Sequence, residues 1–264
     1  TNLVKKGYKD FSFVSQDSSS YLRDLGHNDG LEQLIDAVEK IDGVKTARIL
    51  YLYPSTTTHN LIDKIADSKV FVNYFDMPLQ HISQNMLKIM KRGKGAEKLI
   101  ELMNYMKSKP NSFVRTTFIA GHPGESEEDF EELCSFVEEF GFDRGNVFSY
   151  SDEEGTTAQT RADKIAQELI DERAEILGDI ISQTTIKSLE NDIGKSFEVY
   201  IDGESQEHEY LLSARKTIWA PQIDGEIYIN DNEGNLPIVF GEIYEVEATQ
   251  LAGDKLLAKI IRKV

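Results

Sequence analysis

Four polar segments hold the residues of this 264-residue chain best suited to binding and orienting a ligand. They are Ser15-Gln-Asp-Ser-Ser-Ser-Tyr21, Asp76-Met-Pro-Leu-Gln-His81, Ala120-Gly-His-Pro-Gly-Glu125 and Ser149-Tyr-Ser-Asp-Glu-Glu-Gly155. Each follows a short apolar run that reads as a buried strand, and in parallel α/β folds the carboxyl ends of the strands are where sites are built. Gly121-His-Pro-Gly124 on its own resembles a phosphate cradle. The helix it opens, however, carries Glu127, Glu128 and Asp129 in its first turn, where a second anion would be repelled. No Gly-x-x-x-x-Gly-Lys-Ser/Thr pattern and no nucleophile elbow occur. His27, His59, His81, His122 and His208 show no metal-ligand spacing.

The elements that must position these segments alternate. Strand runs at Phe11–Val14, Ala47–Tyr53, Val70–Phe75, Phe113–Ile119 and Val147–Tyr150 are separated by helical runs at Gly30–Lys40, Leu61–Ala66, Glu97–Lys107 and Glu127–Phe140. The strands read as continuous apolar or β-branched runs, the pattern of strands buried on both faces, so a parallel sheet with outer helices is expected. In the last of these helices Ser126 is the expected N-cap, and Phe130, Leu133, Cys134, Val137 and Phe140 form the buried stripe. That makes Cys134, the single cysteine, a small core residue rather than a reactive thiol. Residues 162–191 read as one long helix with a stripe of Ile165, Leu169, Ile176 and Ile180, closed by Gly194.

Beyond it the texture changes to short strands at Phe197–Ile201, Glu209–Leu212, Glu226–Ile229, Ile243–Ala248 and Leu256–Ile261, divided by turn pairs such as Asp202-Gly203 and Asp224-Gly225. The expected architecture is therefore an incomplete α/β barrel with a long terminal helix over 1–192, then a small all-β antiparallel barrel over 193–264.

Composition narrows the function classes. No run of 18 apolar residues and no leader-like N-terminus occur, so no membrane association is expected. The single cysteine points to a cytoplasmic protein. A net charge of −17 opposes nonspecific binding to phosphate backbones and favours a basic partner. Residues 193–264 alone carry seven Lys or Arg against thirteen Asp or Glu, a net of −6.

The strings Phe13-Val-Ser-Gln-Asp17, Tyr74-Phe-Asp-Met-Pro-Leu-Gln-His81, Arg115-Thr-Thr-Phe-Ile-Ala-Gly-His-Pro-Gly-Glu125, Val147-Phe-Ser-Tyr-Ser-Asp-Glu-Glu-Gly-Thr156 and Ala220-Pro-Gln-Ile-Asp-Gly225 resemble the radical-SAM methylthiotransferases. The Gln80-His81 pair makes the RimO type the nearest match within that family. The resemblance covers nearly the whole chain. It implies a partial TIM-type (radical-SAM) barrel followed by a TRAM-like β-barrel for substrate docking. It further implies a transferase that methylthiolates the β-carbon of an aspartate in the small-subunit ribosomal protein number twelve, with S-adenosylmethionine and two [4Fe–4S] clusters in the intact enzyme. A basic ribosomal protein is the implied partner, with nucleic acid not a direct one. Carried over residue by residue, Ile119 and Gly121 would line the adenine site, Gln16 and Asp17 would face the methionine half, and Gln80, His81, Arg115, Thr117 and Tyr150 would point into the pocket.

The family also has an N-terminal cluster domain and a Cys-x-x-x-Cys-x-x-Cys loop, and one cysteine cannot ligate a cluster. The chain is accordingly expected to start after the first barrel strand, to hold no cluster, and to be inactive alone. Two alternatives stay open. One is a tRNA methylthiotransferase of the same superfamily; the other is a cluster-free binding module for a basic ribosomal protein. An unrelated TIM-barrel enzyme is disfavoured, because no acid/base pair stands at convincing spacing.

Overall fold

The computed structural model describes residues 1–93, 95–232 and 234–264. The chain divides into two compact units, Thr1–Thr184 and Thr185–Val264.

The first unit opens with a single helical turn, α1 (Asn2–Lys5), and then alternates strand and helix. Its strands are β1 (Asp10–Phe13), β2 (Thr46–Ile49), β3 (Phe71–Asp76), β4 (Phe113–Ala120) and β5 (Arg144–Ser149). They form one sheet in sequential order, every neighbouring pair parallel. Between them lie α2 (Gly30–Glu39), α3 (His59–Ala66), α4 (Gln84–Ile89), α5 (Ala96–Lys107) and α6 (Glu127–Phe140). The short α4, capped by Ser83, carries no long apolar stripe and escaped the periodicity argument. At the start of α6, Ser126 and Asp129 cap one another reciprocally, with Ser126 Oγ accepting Asp129 N–H at 3.1 Å.

The inner strands β2 and β4 are buried on both faces, as continuous apolar runs implied, whereas the flanking β1 and β5 are not, and the two faces of the sheet differ in chemistry. One face packs on the helices through Phe11, Phe13, Ala47, Ile49, Phe71, Phe75, Val114, Phe118 and Val147. The alternate residues carry Asp10, Ser12, Arg48, Asp76, Arg115 and Thr117 on the opposite face. The period-2 pattern was masked because several of these polar residues are themselves buried and sit between bulky neighbours.

The long helix α7 (Gln167–Glu190) starts in this unit. Its buried stripe is Ile170, Arg173, Leu177, Ile181 and Thr184, while Leu169 and Ile176 are exposed. The expected stripe was one residue out of phase because apolar residues stand side by side at 169–170, 176–177 and 180–181, so apolar periodicity fits either face. Arg173 belongs to the buried face and shifts its centre.

In the second unit β6 (Ser196–Glu204), β7 (Leu212–Lys216), β8 (Ile227–Asn232), β9 (Ile243–Ala252) and β10 (Lys255–Lys263) close into a barrel. The strand expected at Glu209–Leu212 lies later, because residues 205–211 form the turn between β6 and β7. Four neighbouring pairs are antiparallel and the fifth, β8 with β10, is parallel. Around a ring of five strands direction cannot alternate at every step, so at least one parallel pair is unavoidable. Alternation fills the interior: Tyr244, Val246 and Ala248 from β9 meet Leu256, Ala258 and Ile260 from β10, all fully buried. Each large aliphatic buried this way contributes about 1.5–3 kcal/mol.

Candidate functional site

β4 and the loops beside it gather most of the polar residues singled out in the sequence. Arg115, Thr117 and Ile119 share one face of β4. Gln80 sits across from them in the loop after β3, with a left-handed backbone (φ +68°). Its N–H donates to the Thr117 carbonyl and its own carbonyl accepts Ile119 N–H, each at 2.9 Å. The Gln80 side-chain oxygen Oε1 is buried and has no hydrogen-bond partner, so it offers an acceptor at the strand ends.

A second group lies one loop further on. Gly121 follows β4 with φ +78°, and a Cβ there would stand 2.5 Å from Ile170 of α7. Packing as well as backbone geometry therefore requires glycine. The Gly121 N–H donates to both oxygens of Glu125, at 3.1 and 3.2 Å. Glu125 is buried and takes Arg173 Nη1 at 2.8 Å, while Arg173 Nη2 reaches Glu127 at 2.8 Å. On the other side His81 is fully buried. Its Nδ1 accepts Ser83 N–H at 3.0 Å, which leaves the ring proton for Nε2, 3.6 Å from Glu125 Oε2. Glu125 and Arg173 thus fix the turn that carries Gly121. Arg173 did not stand out in the sequence, since it looks like one more charge on a charged helix; Glu125 closes a strand-end segment singled out there, but nothing local shows that it holds the Gly121 amide.

A third group lies deeper on the same sheet. Asp76, at the end of β3, is fully buried and accepts Arg115 Nη1 and the Tyr51 N–H, both at 3.1 Å. Burial raises its carboxyl pKa, against the pull of Arg115 and of the Tyr51 amide. Arg48, also fully buried, pairs with Asp10 at 2.7 Å and bonds Ser12 at 3.0 Å. Asp76 opens a strand-end segment noted in the sequence, though its partners were not evident there; Asp10 stands just outside, and Arg48 inside, an expected strand run, and neither was singled out.

The remaining expected residues lie at the two flanks of the sheet. Gln16 and Asp17 follow β1; Gln16 is exposed, and Asp17 caps its own turn, accepting from Ser19 Oγ at 2.7 Å and from Ser20 N–H at 3.2 Å. Tyr150 follows β5, where its N–H donates to the Ala120 carbonyl at 2.9 Å and its ring meets His122 edge-on. Its hydroxyl donates to Asp152, and burial first, then that carboxylate, pushes its pKa up to about 12.

Among the described residues no group of three or more His, Cys, Asp or Glu could hold a metal. Cys134 is half-buried on α6, and burial pushes its thiol up to about 11. A lone thiol of that kind does not fit an iron–sulfur cluster, which needs several thiolates. The orphaned Gln80 oxygen beside Thr117 and Arg115 does fit S-adenosylmethionine, whose amino groups are hydrogen-bond donors.

No helix of the described residues is long and apolar enough to cross a membrane. The model of the radical SAM superfamily matches residues 1–137, and that of the TRAM domain matches residues 193–261. The ribosomal protein uS12 methylthiotransferase RimO of Aliarcobacter butzleri (strain RM4018) is 77% identical over 98% of this chain and 59% of its own length. Namesakes from Sulfurovum sp. (strain NBC37-1) and Campylobacter jejuni (strain 81-176) are 60% and 55% identical, over 99% and 100% of this chain and 59% and 60% of theirs. The chain thus spans about three fifths of the length of these relatives. Among solved structures, the coproporphyrinogen III oxidase HemN of Escherichia coli, described as a radical SAM enzyme, shares the fold. The TM-score is 0.50 at 17% identity, over 60% of this chain and 37% of that one. A parallel five-stranded half-barrel with a polar face, matched by the superfamily model over residues 1–137, means that this chain belongs to the radical SAM superfamily.

Proposed function

We propose that this chain is the S-adenosylmethionine-holding sheet and the substrate-docking barrel of a methylthiotransferase. Its substrate is the aspartate β-carbon of ribosomal protein uS12, the protein named in its relatives. The observation that carries the reading is Gln80: a buried carbonyl oxygen without a partner, held at the strand ends by two backbone bonds to β4.

In this reading Gln80, Thr117, Arg115 and Ile119 line the cofactor, Gly121 and Tyr150 border its adenine end, and Gln16 and Asp17 border its methionine end. His81 lies buried beside Glu125 and points into the same pocket. Bound S-adenosylmethionine supplies a carbon radical for hydrogen abstraction and a methyl group for the product. The protein's own part is orientation and exclusion of water. Two [4Fe–4S] clusters complete the intact enzyme, and the single cysteine of this chain falls short of the several thiolates each would need.

The functional boundary in this reading is residue 192, with docking assigned to 193–264. That barrel's acidity suits a basic protein better than a phosphate backbone, because phosphate contacts need cations. Most of the barrel's cations are also engaged by carboxylates: Arg215 with Asp202, Lys216 with Asp192, Lys255 with Glu207 and Glu226, Lys259 with Glu247 and Arg262 with Glu245. The enzyme therefore works in the cytoplasm on a ribosomal protein, with neither membrane nor nucleic acid as a direct partner.

Two measurements on the full-length protein test this. Gln80→Ala is expected to weaken S-adenosylmethionine binding measured by calorimetry; wild-type affinity in that variant removes Gln80 from the site. Labelled uS12 is expected to bind more tightly than tRNA at equal salt and to release as salt rises. Tighter binding of tRNA would overturn the choice of substrate and favour the tRNA-modifying alternative.

A further inference from the structure

Tyr51 lies just past the end of β2 with a left-handed backbone, φ +59°. A bulky residue held there costs free energy, which the surrounding structure must supply. Both sides of the residue are pinned: its N–H donates to Asp76 Oδ2 at 3.1 Å, and its carbonyl accepts Ser18 N–H at 3.0 Å. The pin is rigid at its base, because Asp76 is fully buried, holds Arg115 with its other oxygen, and accepts Leu52 N–H on its carbonyl at 2.8 Å.

The Tyr51 residue is 38% exposed, so part of its ring reaches the surface at the strand ends. Val14, the residue after β1, is also exposed. Backbone strain held in place by a buried carboxylate, under a ring that is still partly open, marks a site whose geometry serves a ligand.

The ligand's chemistry follows from ring and charge. A tyrosine face attracts a guanidinium or ammonium group, and the chain's net charge of −17 draws a basic polypeptide toward it. We propose that Tyr51 is a substrate-contact residue whose ring receives a Lys or Arg side chain of the polypeptide substrate, and that Asp76 is the positioning residue that presents it. This deepens, and rests on, the reading of a basic ribosomal protein as substrate.

The test uses the full-length protein and fluorescently labelled uS12, followed by anisotropy. Glycine adopts a left-handed backbone without strain, which offsets part of the packing lost with the ring, so Tyr51→Gly is expected to stay folded at the assay temperature. It is nevertheless expected to bind uS12 about tenfold more weakly, the scale of losing an interface tyrosine. Tyr51→Phe keeps the ring face and should bind like wild type. S-adenosylmethionine affinity, read by calorimetry, should be unchanged in both.

Asp76→Asn alone should weaken uS12 binding, yet add nothing in the Tyr51→Gly background, because the group it presents is gone. Two outcomes overturn the proposal: wild-type uS12 affinity in Tyr51→Gly, or a loss confined to S-adenosylmethionine. If wild type itself fails to bind uS12, the functional reading fails first. If wild type binds and Tyr51→Gly binds equally, only the role of Tyr51 falls.

Discussion

The two units differ in their deepest ion pairs, although surface pairs such as Lys64 with Asp36 occur in the first unit as well. In the half-barrel, Arg48 with Asp10, Arg115 with Asp76 and Arg173 with Glu125 are ion pairs withdrawn from solvent. In the small barrel, Lys255 with Glu207, Lys259 with Glu247 and Arg262 with Glu245 each leave at least one partner substantially exposed. Charges taken out of water lose hydration that only good geometry restores, so they are worth keeping where they hold something in place. Asp76 holds the Tyr51 backbone and Glu125 holds the Gly121 amide. Surface pairs screen one another and leave the fold nearly indifferent to their loss. The half-barrel therefore uses charge to fix geometry, and the small barrel uses it to set a field.

The largest effect that can break this comparison is at Glu125. Glu125→Ala removes the buried one of Arg173's two carboxylate partners and the acceptor of the Gly121 amide, leaving Arg173 with Glu127 alone, and is expected to cost about 3 kcal/mol, read as a lowered denaturant midpoint for the first unit. A loss under about 1 kcal/mol would put this pair in the same class as the surface pairs.

Next comes the phase of α7. Leu177→Ala is expected to cost about 2–5 kcal/mol, whereas Ile176→Ala, one position away and exposed, should cost about 0.5 kcal/mol or less. Equal losses at the two positions would show that the helix does not bury the face that presents Arg173.

Smaller again is the effect at Cys134. With its thiol near pH 11 rather than 9, alkylation at pH 8 should run about a hundredfold slower than for an unperturbed thiol. The rate should climb about tenfold per pH unit, as the thiolate fraction does. A rate at pH 8 equal to that of a small-molecule thiol would refute the packed outer shell of α6. The smallest effect belongs to the surface: Arg262→Ala should shift stability by less than about 1 kcal/mol, measured by thermal unfolding.

Much of the fold was legible in the chain. All five parallel strands and the helix Glu127–Phe140 follow from strand–helix alternation and a capping signal, because burial of one face imposes a period. Local chemistry also explains why α6 begins where it does, at Ser126. The site was only partly legible. Loop segments at strand ends drew attention to Asp76, Gln80, Gly121 and Tyr150, but nothing in the sequence marked Asp10 and Arg48 or showed what Asp76 would hold. Their partners come from strands far away in sequence: Asp76 and Arg115 are 39 residues apart, and Arg48 and Asp10 are 38.

What the amino-acid sequence determined by itself is the set of elements, the order of two architectures, and an acidic small barrel, because periodicity, turn chemistry and net charge are local or additive properties. What only the tertiary structure decided is which charges lie buried and what each one holds. The Tyr51 backbone depends on a carboxylate 25 residues further along the chain, and the Gly121 turn depends on an arginine that reaches Glu125 from 48 residues away. No one-dimensional pattern encodes such pairings, since they exist only once the sheet has brought those residues together.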